Sequence, residues 1–226
     1  MTEEHKPLDI FEFCNTVKSV MQNSNDIPVY QNFGEIGDLT MVDTAMVIST
    51  VLGVYVKRDE SITPSIYANI LKSVYDIFSE HPKCKDVISL ENYVVAIIDS
   101  PFKTDIDNAL DCVGKINALF KLVNRIREQK LQPKIEKGIG MNYGKVLMVK
   151  TSHSDNLVMS WDGESLSTVV DLSTKASDEA KVFATFTIYN NLKEEYQKLF
   201  SKVLSNDYYE ADPVNIAMNK WIIANI

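Results

Sequence analysis

The sequence predicts an α/β (α+β) domain: a mixed sheet of order β-α-β-β-α-β with helices on one face, followed by further strands and helices. Three stretches predict it. Residues 44–56, Thr-Ala-Met-Val-Ile-Ser-Thr-Val-Leu-Gly-Val-Tyr-Val, are apolar nearly throughout and rich in β-branched side chains, as suits a central strand covered on both faces. Residues 104–129 set Ile106, Leu110, Val113, Ile116, Phe120, Val123 and Ile126 on one helical face. Residues 134–151 place two apolar runs on either side of Asn142, Tyr143 and Gly144, which reads as a hairpin. Within it Gly138 and Gly140 alternate with larger residues, the mark of a strand that a backbone, helix or ligand approaches closely.

Composition bounds the rest. With 226 residues, 45% hydrophobic and 24% charged, the chain suits one medium-sized domain, 44–226, preceded by an N-terminal helix and linker, 1–43. A net charge of −8 argues against a broad nucleic-acid face, which needs clustered Lys and Arg, and leaves room only for a local basic pocket. Cys14, Cys84 and Cys112 lack C-x-x-C spacing and have only three histidines to share a metal with, so they read as reduced structural thiols. The acidic start, Met-Thr-Glu-Glu-His-Lys, lacks the order of a signal peptide. No run approaches the ~18 apolar residues of a membrane span. A cytoplasmic protein is the expectation.

In chain order, Leu8, Phe11, Val17 and Val20 suggest a helix over 8–22, and 27–43, with Pro28, Gly34 and Gly37, a loop. After the first core strand, Thr63 and Pro64 cap and start a helix with Ile66, Ile70, Val74 and Ile77 as its buried stripe, ending near His81-Pro82. Two strands then meet at Glu91-Asn92, and Gly114 on the long helix permits close packing. Beyond the hairpin come a turn at 152–156, a strand at 157–161 and a helix opened by Asp162-Gly163-Glu164-Ser165. Alternation predicts a strand from Lys181 to Ile188. Leu192, Tyr196, Leu199, Phe200 and Val203 predict a helix over 190–204, and 214–226 reads as a final strand or a docked helix.

The run Ile139-Gly140-Met141-Asn142-Tyr143-Gly144-Lys145-Val146 resembles the I-G-hydrophobic-x-x-G-x-V hairpin of class III adenylate/guanylate cyclase catalytic domains, nearest to bacterial Pycsar-type pyrimidine cyclases. The likeness extends over roughly residues 44–205 and implies a ferredoxin-like βαββαβ core. It also implies a site in which two aspartates hold two Mg²⁺ or Mn²⁺ ions on a triphosphate, while an Asn and an Arg from the partner subunit orient the ribose and stabilise phosphate charge. Aligned on Gly53, the first metal position falls on Thr50; the second falls on Asn92. The base-contact position falls on Ile88, and the Asn and Arg positions on Ser167 and Asp171. None carries the family's residue, so the expectation is a degenerate, non-cyclising domain with no bound metal, acting through a homodimer or a heterodimer with a related cyclase, and able to hold a nucleotide-like ligand. Bacterial signalling or antiviral defence is the setting that the resemblance implies. The alternative is an active, divergent cyclase using Glu91, Asp99 and Lys175.

Other candidates have simpler explanations. Ser152, His153 and Asp155 are too close in sequence to face one another as a triad and read as turn chemistry. His81 and Cys84 would be half a metal site. Asp105 and Asp107 suit the positive end of a helix dipole, and Trp161 and Trp221 are expected as core or interface anchors.

Overall fold

A computed structural model describes residues 27–37, 44–153, 156–177, 181–203 and 207–226. The helix expected over 8–22 lies outside them, as do residues 154 and 155 of the turn around His153. The strands are β1 (Val29–Tyr30), β2 (Thr44–Val56), β3 (Cys84–Leu90), β4 (Tyr93–Ile98), β5 (Lys137–His153), β6 (Asn156–Asp162), β7 (Val182–Thr185), β8 (Ser201–Lys202) and β9 (Tyr208–Ala211). The helices are α1 (Pro64–Ser79), α2 (Lys103–Gln129), α3 (Glu164–Ser177), α4 (Phe186–Asn191), α5 (Glu194–Gln197) and α6 (Ile216–Asn225). The strands form one sheet in the order β3-β4-β2-β5-β7-β9-β8, with β1 added to β2 and β6 to β5.

β2 is the centre of that sheet, as its apolar run requires. Its even-numbered residues Leu52, Val54 and Val56 join Val94, Ala96, Ile98, Ile139 and Met141 under α1 and α2. Its odd-numbered residues Ala45, Val47 and Val51 join Val95, Ile97, Val146 and Met148 under α3 and the Phe33–Ile36 turn. Helices therefore cover both faces, not one. The supposed loop at 27–43 contains β1, a 3-10 turn at Phe33–Glu35, and the buried side chains of Phe33 and Ile36.

The predicted hairpin around Asn142 is instead continuous strand. Val51, Thr50 and Ser49 pair with Asn142, Tyr143 and Gly144, within an unbroken antiparallel register from Thr44↔Val149 to Val56↔Lys137. A turn there would orphan ladder groups in the middle of the sheet, whereas the long partner strand satisfies them all. The real reversal lies between β5 and β6, where His153 pairs with Asn156. The glycines serve the other purpose foreseen for them: a Cβ on Gly138 would stand 1.9 Å from the Ser173 carbonyl oxygen, and one on Gly140 would stand 2.4 Å from that of Val169. α3 thus lies with its backbone directly on β5.

Smaller departures have local causes. Thr63 caps α1 as expected, its Oγ1 accepting from the Ile66 amide, but the buried stripe is Tyr67, Ile70, Val74 and Phe78, with Ile66 exposed. The shift lets the Tyr67 hydroxyl reach the sheet. Asp105 caps α2 by accepting from the Phe102 amide, and Asp107 accepts from the Lys193 amide. Gly114 lets the segment leading to α6 dock, with the Asn215 amide donating to its carbonyl at 3.1 Å. The strand expected to reach Ile188 stops at Thr185, where its partner β9 stops. The helix expected over 190–204 is broken into α5 and β8, the Gln197 side-chain Nε2 donating to the Tyr189 and Leu192 carbonyls. The tail is a docked helix. Trp161 is a core anchor, donating to Asp86 at 2.6 Å, while Trp221 is 55% exposed.

Candidate functional site

The C-terminal end of β2 meets the β3–β4 turn at Glu91-Asn92. The Val56 amide donates to the Asn92 carbonyl at 2.9 Å, and Tyr55 pairs with Tyr93, their rings 4.9 Å apart. The Tyr67 hydroxyl reaches this corner from α1. It donates to the Val56 carbonyl at 3.0 Å and lies 2.8 Å from the Asn92 side-chain oxygen position, so a flipped amide, donating back to the phenol, satisfies both groups. Burial pushes the Tyr67 phenol up. Asn92 is thus part of a hydrogen-bonded clasp. Tyr67→Phe is expected to cost about 1–2 kcal/mol in urea denaturation and to loosen the turn, since it leaves polar groups without their partner.

Thr50 is not at this corner. It pairs with Ile98 at the far end of β4 and is buried among the apolar residues that face α2. Six residues of strand separate it from Val56, about 20 Å at ~3.4 Å per residue. Two metal ligands of one ion pair must bind ions about 4 Å apart, so Thr50 and Asn92 cannot share a site. The register that places both metal positions at one corner puts the first at Tyr55 or Val56, and neither is an acid.

The alternative ligands do not converge either. Glu91 is exposed at one end of β4, and Asp99 follows the other end, where it accepts from the Phe33 amide at 3.3 Å and faces Lys85 at 3.9 Å. Among the described residues no three His, Cys, Asp or Glu side chains form a group able to hold a metal ion. At the corner itself, Tyr55, Val56 and Asn92 do not supply the two aspartates that the resemblance implies. Ile88 is part of the apolar cluster beneath α3 and pairs with Val95.

Ser167, Asp171 and Lys175 form a row on the exposed side of α3. The Ser167 hydroxyl donates to the Glu164 carbonyl, and Lys175 and Asp171 are 2.6 Å apart. The hydrogen bond to Asp171 holds the Lys175 ammonium above its usual range. The row presents balanced charge, not the lone guanidinium of a phosphate clamp.

Two features escaped the sequence reading. Past β2, Asp59 accepts from the Ser61 amide at 2.7 Å; the Ser61 side chain first and then its backbone hold the carboxyl below the usual range, and Arg127 donates to the Ser61 hydroxyl at 3.3 Å. At the start of α3, a hollow of ≈ 430 Å³ is lined by residues including Asn142, Lys145, Glu164, Thr168, Thr185 and Asp207. Its donors and acceptors suit an uncharged polar group such as a base or sugar. No spacing in the chain connects Lys145 with Asp207; the pairing of β5 with β7 and of β7 with β9 does.

The two-faced sheet with a βαββαβ centre defines the class III nucleotidyl cyclase fold, and solved structures agree. A bacterial light-regulated adenylyl cyclase superposes with a TM-score of 0.61 at 14% identity, covering 97% of this chain and 71% of that one. The guanylyl cyclase Cya2 gives 0.56 at 13% identity, covering 77% of this chain and 96% of that one. Among curated proteins, the uridylate cyclase of Treponema porcinum is 23% identical over 174 residues, 74% of this chain and 60% of that protein. The match thus spans less than two thirds of that relative. No family model matches the chain. No described helix is long and apolar enough to cross a membrane.

Proposed function

We propose that this domain keeps the nucleotidyl cyclase scaffold without its metal-dependent cyclisation and works by association, with a second copy or with a related cyclase. The observation that carries the reading is the corner of β2 and β4, where Tyr55, Val56 and Asn92 stand in place of paired carboxylates and Asn92 is tied to Tyr67. Cyclisation moves negative charge onto phosphoryl oxygens, and losing one stabiliser of such charge commonly lowers rate ~10³–10⁵-fold. Here Tyr55, Val56 and Asn92 carry no carboxylate, the neighbouring Glu91 is exposed, and the Arg position is Asp171, paired to Lys175. The exposed α3 row and the hollow beside it support a role in contacting a partner and in holding a nucleotide-like ligand, in a bacterial signalling or antiviral-defence setting. One observation favours a second reading, an active divergent cyclase: the similarity to a uridylate cyclase.

Incubation of the purified chain with ATP, GTP, CTP and UTP in turn, with Mn²⁺, separates the two. No cyclic product is expected from any of them. A cyclic nucleotide formed at a rate above the metal-only control establishes the second reading. Sedimentation equilibrium is expected to show a concentration-dependent dimer, alone or with a related cyclase; a strict monomer in both mixtures contradicts the association role.

A further inference from the structure

On the α2 side of the sheet, away from α3 and the hollow at its start, lies a concavity of ≈ 430 Å³, a size typical of small-ligand sites. Its cations are Lys121 and Arg125 on α2, Lys134 and Lys137 where the chain enters β5, and Lys181 just before β7; the acids in its lining are Glu128 and Asp212, and Glu210 pairs with Lys181 from outside it. In a chain of net charge −8 this is a concentration of the opposite sign, and a low-dielectric wall behind it focuses the field. We propose that this concavity binds a small polyphosphate anion, pyrophosphate or the phosphate chain of a nucleotide.

Three features support the assignment. First, Lys137 is only 5% exposed and is flanked by Phe120 and Ile135, each 2% exposed. Burial pushes its ammonium down to about 8, with Asp212 acting to raise it and Lys121 to lower it. An anion seated beside it would add to the counter-charge of Asp212 in a place from which water is largely excluded. Second, Lys121, Arg125 and Lys134 are held loosely or have no carboxylate partner among the described residues, whereas Lys181 is firmly paired. Lys121 faces Asp212 at 3.4 Å and Arg125 faces Glu128 at 3.9 Å, both partly exposed pairs of small worth. Lys134 has no carboxylate partner among the described residues, and Lys181 pairs with Glu210 at 2.7 Å. Third, the walls are fixed. The Asn124 amide bonds both the N–H and the carbonyl of Ile135, and Asn117 donates to the Pro213 carbonyl at 2.7 Å. The assignment does not rest on the proposed function, because it uses neither the β2–β4 corner nor α3.

Calorimetric titration of the full chain in EDTA, with pyrophosphate and separately with inorganic phosphate, tests it. Saturable binding of pyrophosphate, one per chain, is expected at low salt and should weaken at 0.5 M NaCl, where screening reaches about 3–4 Å. Lys134→Glu, an exposed change that leaves the fold intact, should weaken it at least tenfold, and Lys137→Met likewise. Lys72→Glu, on α1 and paired with Asp76, should leave it unchanged. No saturable binding of pyrophosphate, or tighter binding of phosphate than of pyrophosphate, overturns the proposal. So does a Lys72→Glu loss equal to that of Lys134→Glu, which would indicate diffuse attraction; if Lys137→Met fails to fold, the Lys134→Glu comparison decides.

Discussion

Gly138→Ala is expected to remove a large share of the folded protein's stability. The added Cβ would stand 1.9 Å from the Ser173 carbonyl oxygen, 2.4 Å from the Ser177 nitrogen and 2.7 Å from the Ala176 carbonyl carbon. All three are backbone atoms of α3, so no rotamer change relieves the clash. The helix must lift, and lifting it uncovers Val169, Leu172 and Ala176, which are buried against the sheet. Alternatively β5 must leave its pairing with β2, where Gly138 lies opposite Tyr55. Overpacking of this kind costs about 3 kcal/mol or more, against a total of ~5–15 kcal/mol for a domain. Gly114→Ala is the matched control. Its nearest contact would be the Asn215 nitrogen at 3.2 Å, on a segment that can shift by tenths of an ångström, and a loss near 1 kcal/mol is expected. Urea denaturation followed by circular dichroism compares the two. Equal losses would mean that α3 does not lie on β5 in solution.

Much of the fold was legible because its signals are local. The apolar run of β2, the Thr63-Pro64 start of α1, the face of α2 and the strands meeting at Glu91-Asn92 all follow from periodicity and capping, which neighbouring residues settle among themselves. Glycine spacing was read correctly as close approach and wrongly as part of a hairpin. Asn142-Tyr143-Gly144 has turn composition, and what keeps it extended is a thirteen-residue partner ladder that no local window contains. The same limit applies after β7. Phe186 and Ile188 fit strand alternation, yet the strand lasts only as long as β9 does. The stripe on α1 keeps Ile70 and Val74 but takes Tyr67 and Phe78 in place of Ile66 and Ile77, and the Tyr67 hydroxyl finds a partner at the sheet corner.

The candidate site was legible as residue types and not as a place. That Ser167 and Asp171 share a helix face follows from their spacing of four, and they do share it. Which residue of β2 lies beside Asn92 depends on strand register, and alignment on a single glycine erred by five or six positions. The clasp of Tyr67 with Asn92, the hollow between Lys145 and Asp207, and the gathering of Lys134, Lys137 and Lys181 all join distant segments, which one sequence cannot bring together.

That register yields the second large effect. Substituting the four positions as the sequence alone aligns them, Thr50→Asp, Asn92→Asp, Ser167→Asn and Asp171→Arg, is expected to produce an unfolded chain and no Mn²⁺ site. Thr50 is responsible. It is fully buried, its hydroxyl has no hydrogen-bond partner, and it lies in the ladder between Ile98 and Tyr143. A carboxylate there has neither water nor a cation, and an unpaired buried charge costs about 3–5 kcal/mol. Thr50→Val is the converse: removing an unsatisfied hydroxyl at constant shape should be neutral or stabilising. Asn92→Asp alone should fold, since the turn is only half-buried and the Tyr67 hydroxyl can turn its one proton from the Val56 carbonyl to the new carboxylate. Denaturation midpoints rank the three variants, and the electron paramagnetic resonance of Mn²⁺ reports any metal held by the fourfold variant. A folded fourfold variant that binds Mn²⁺ would put Thr50 at the corner after all.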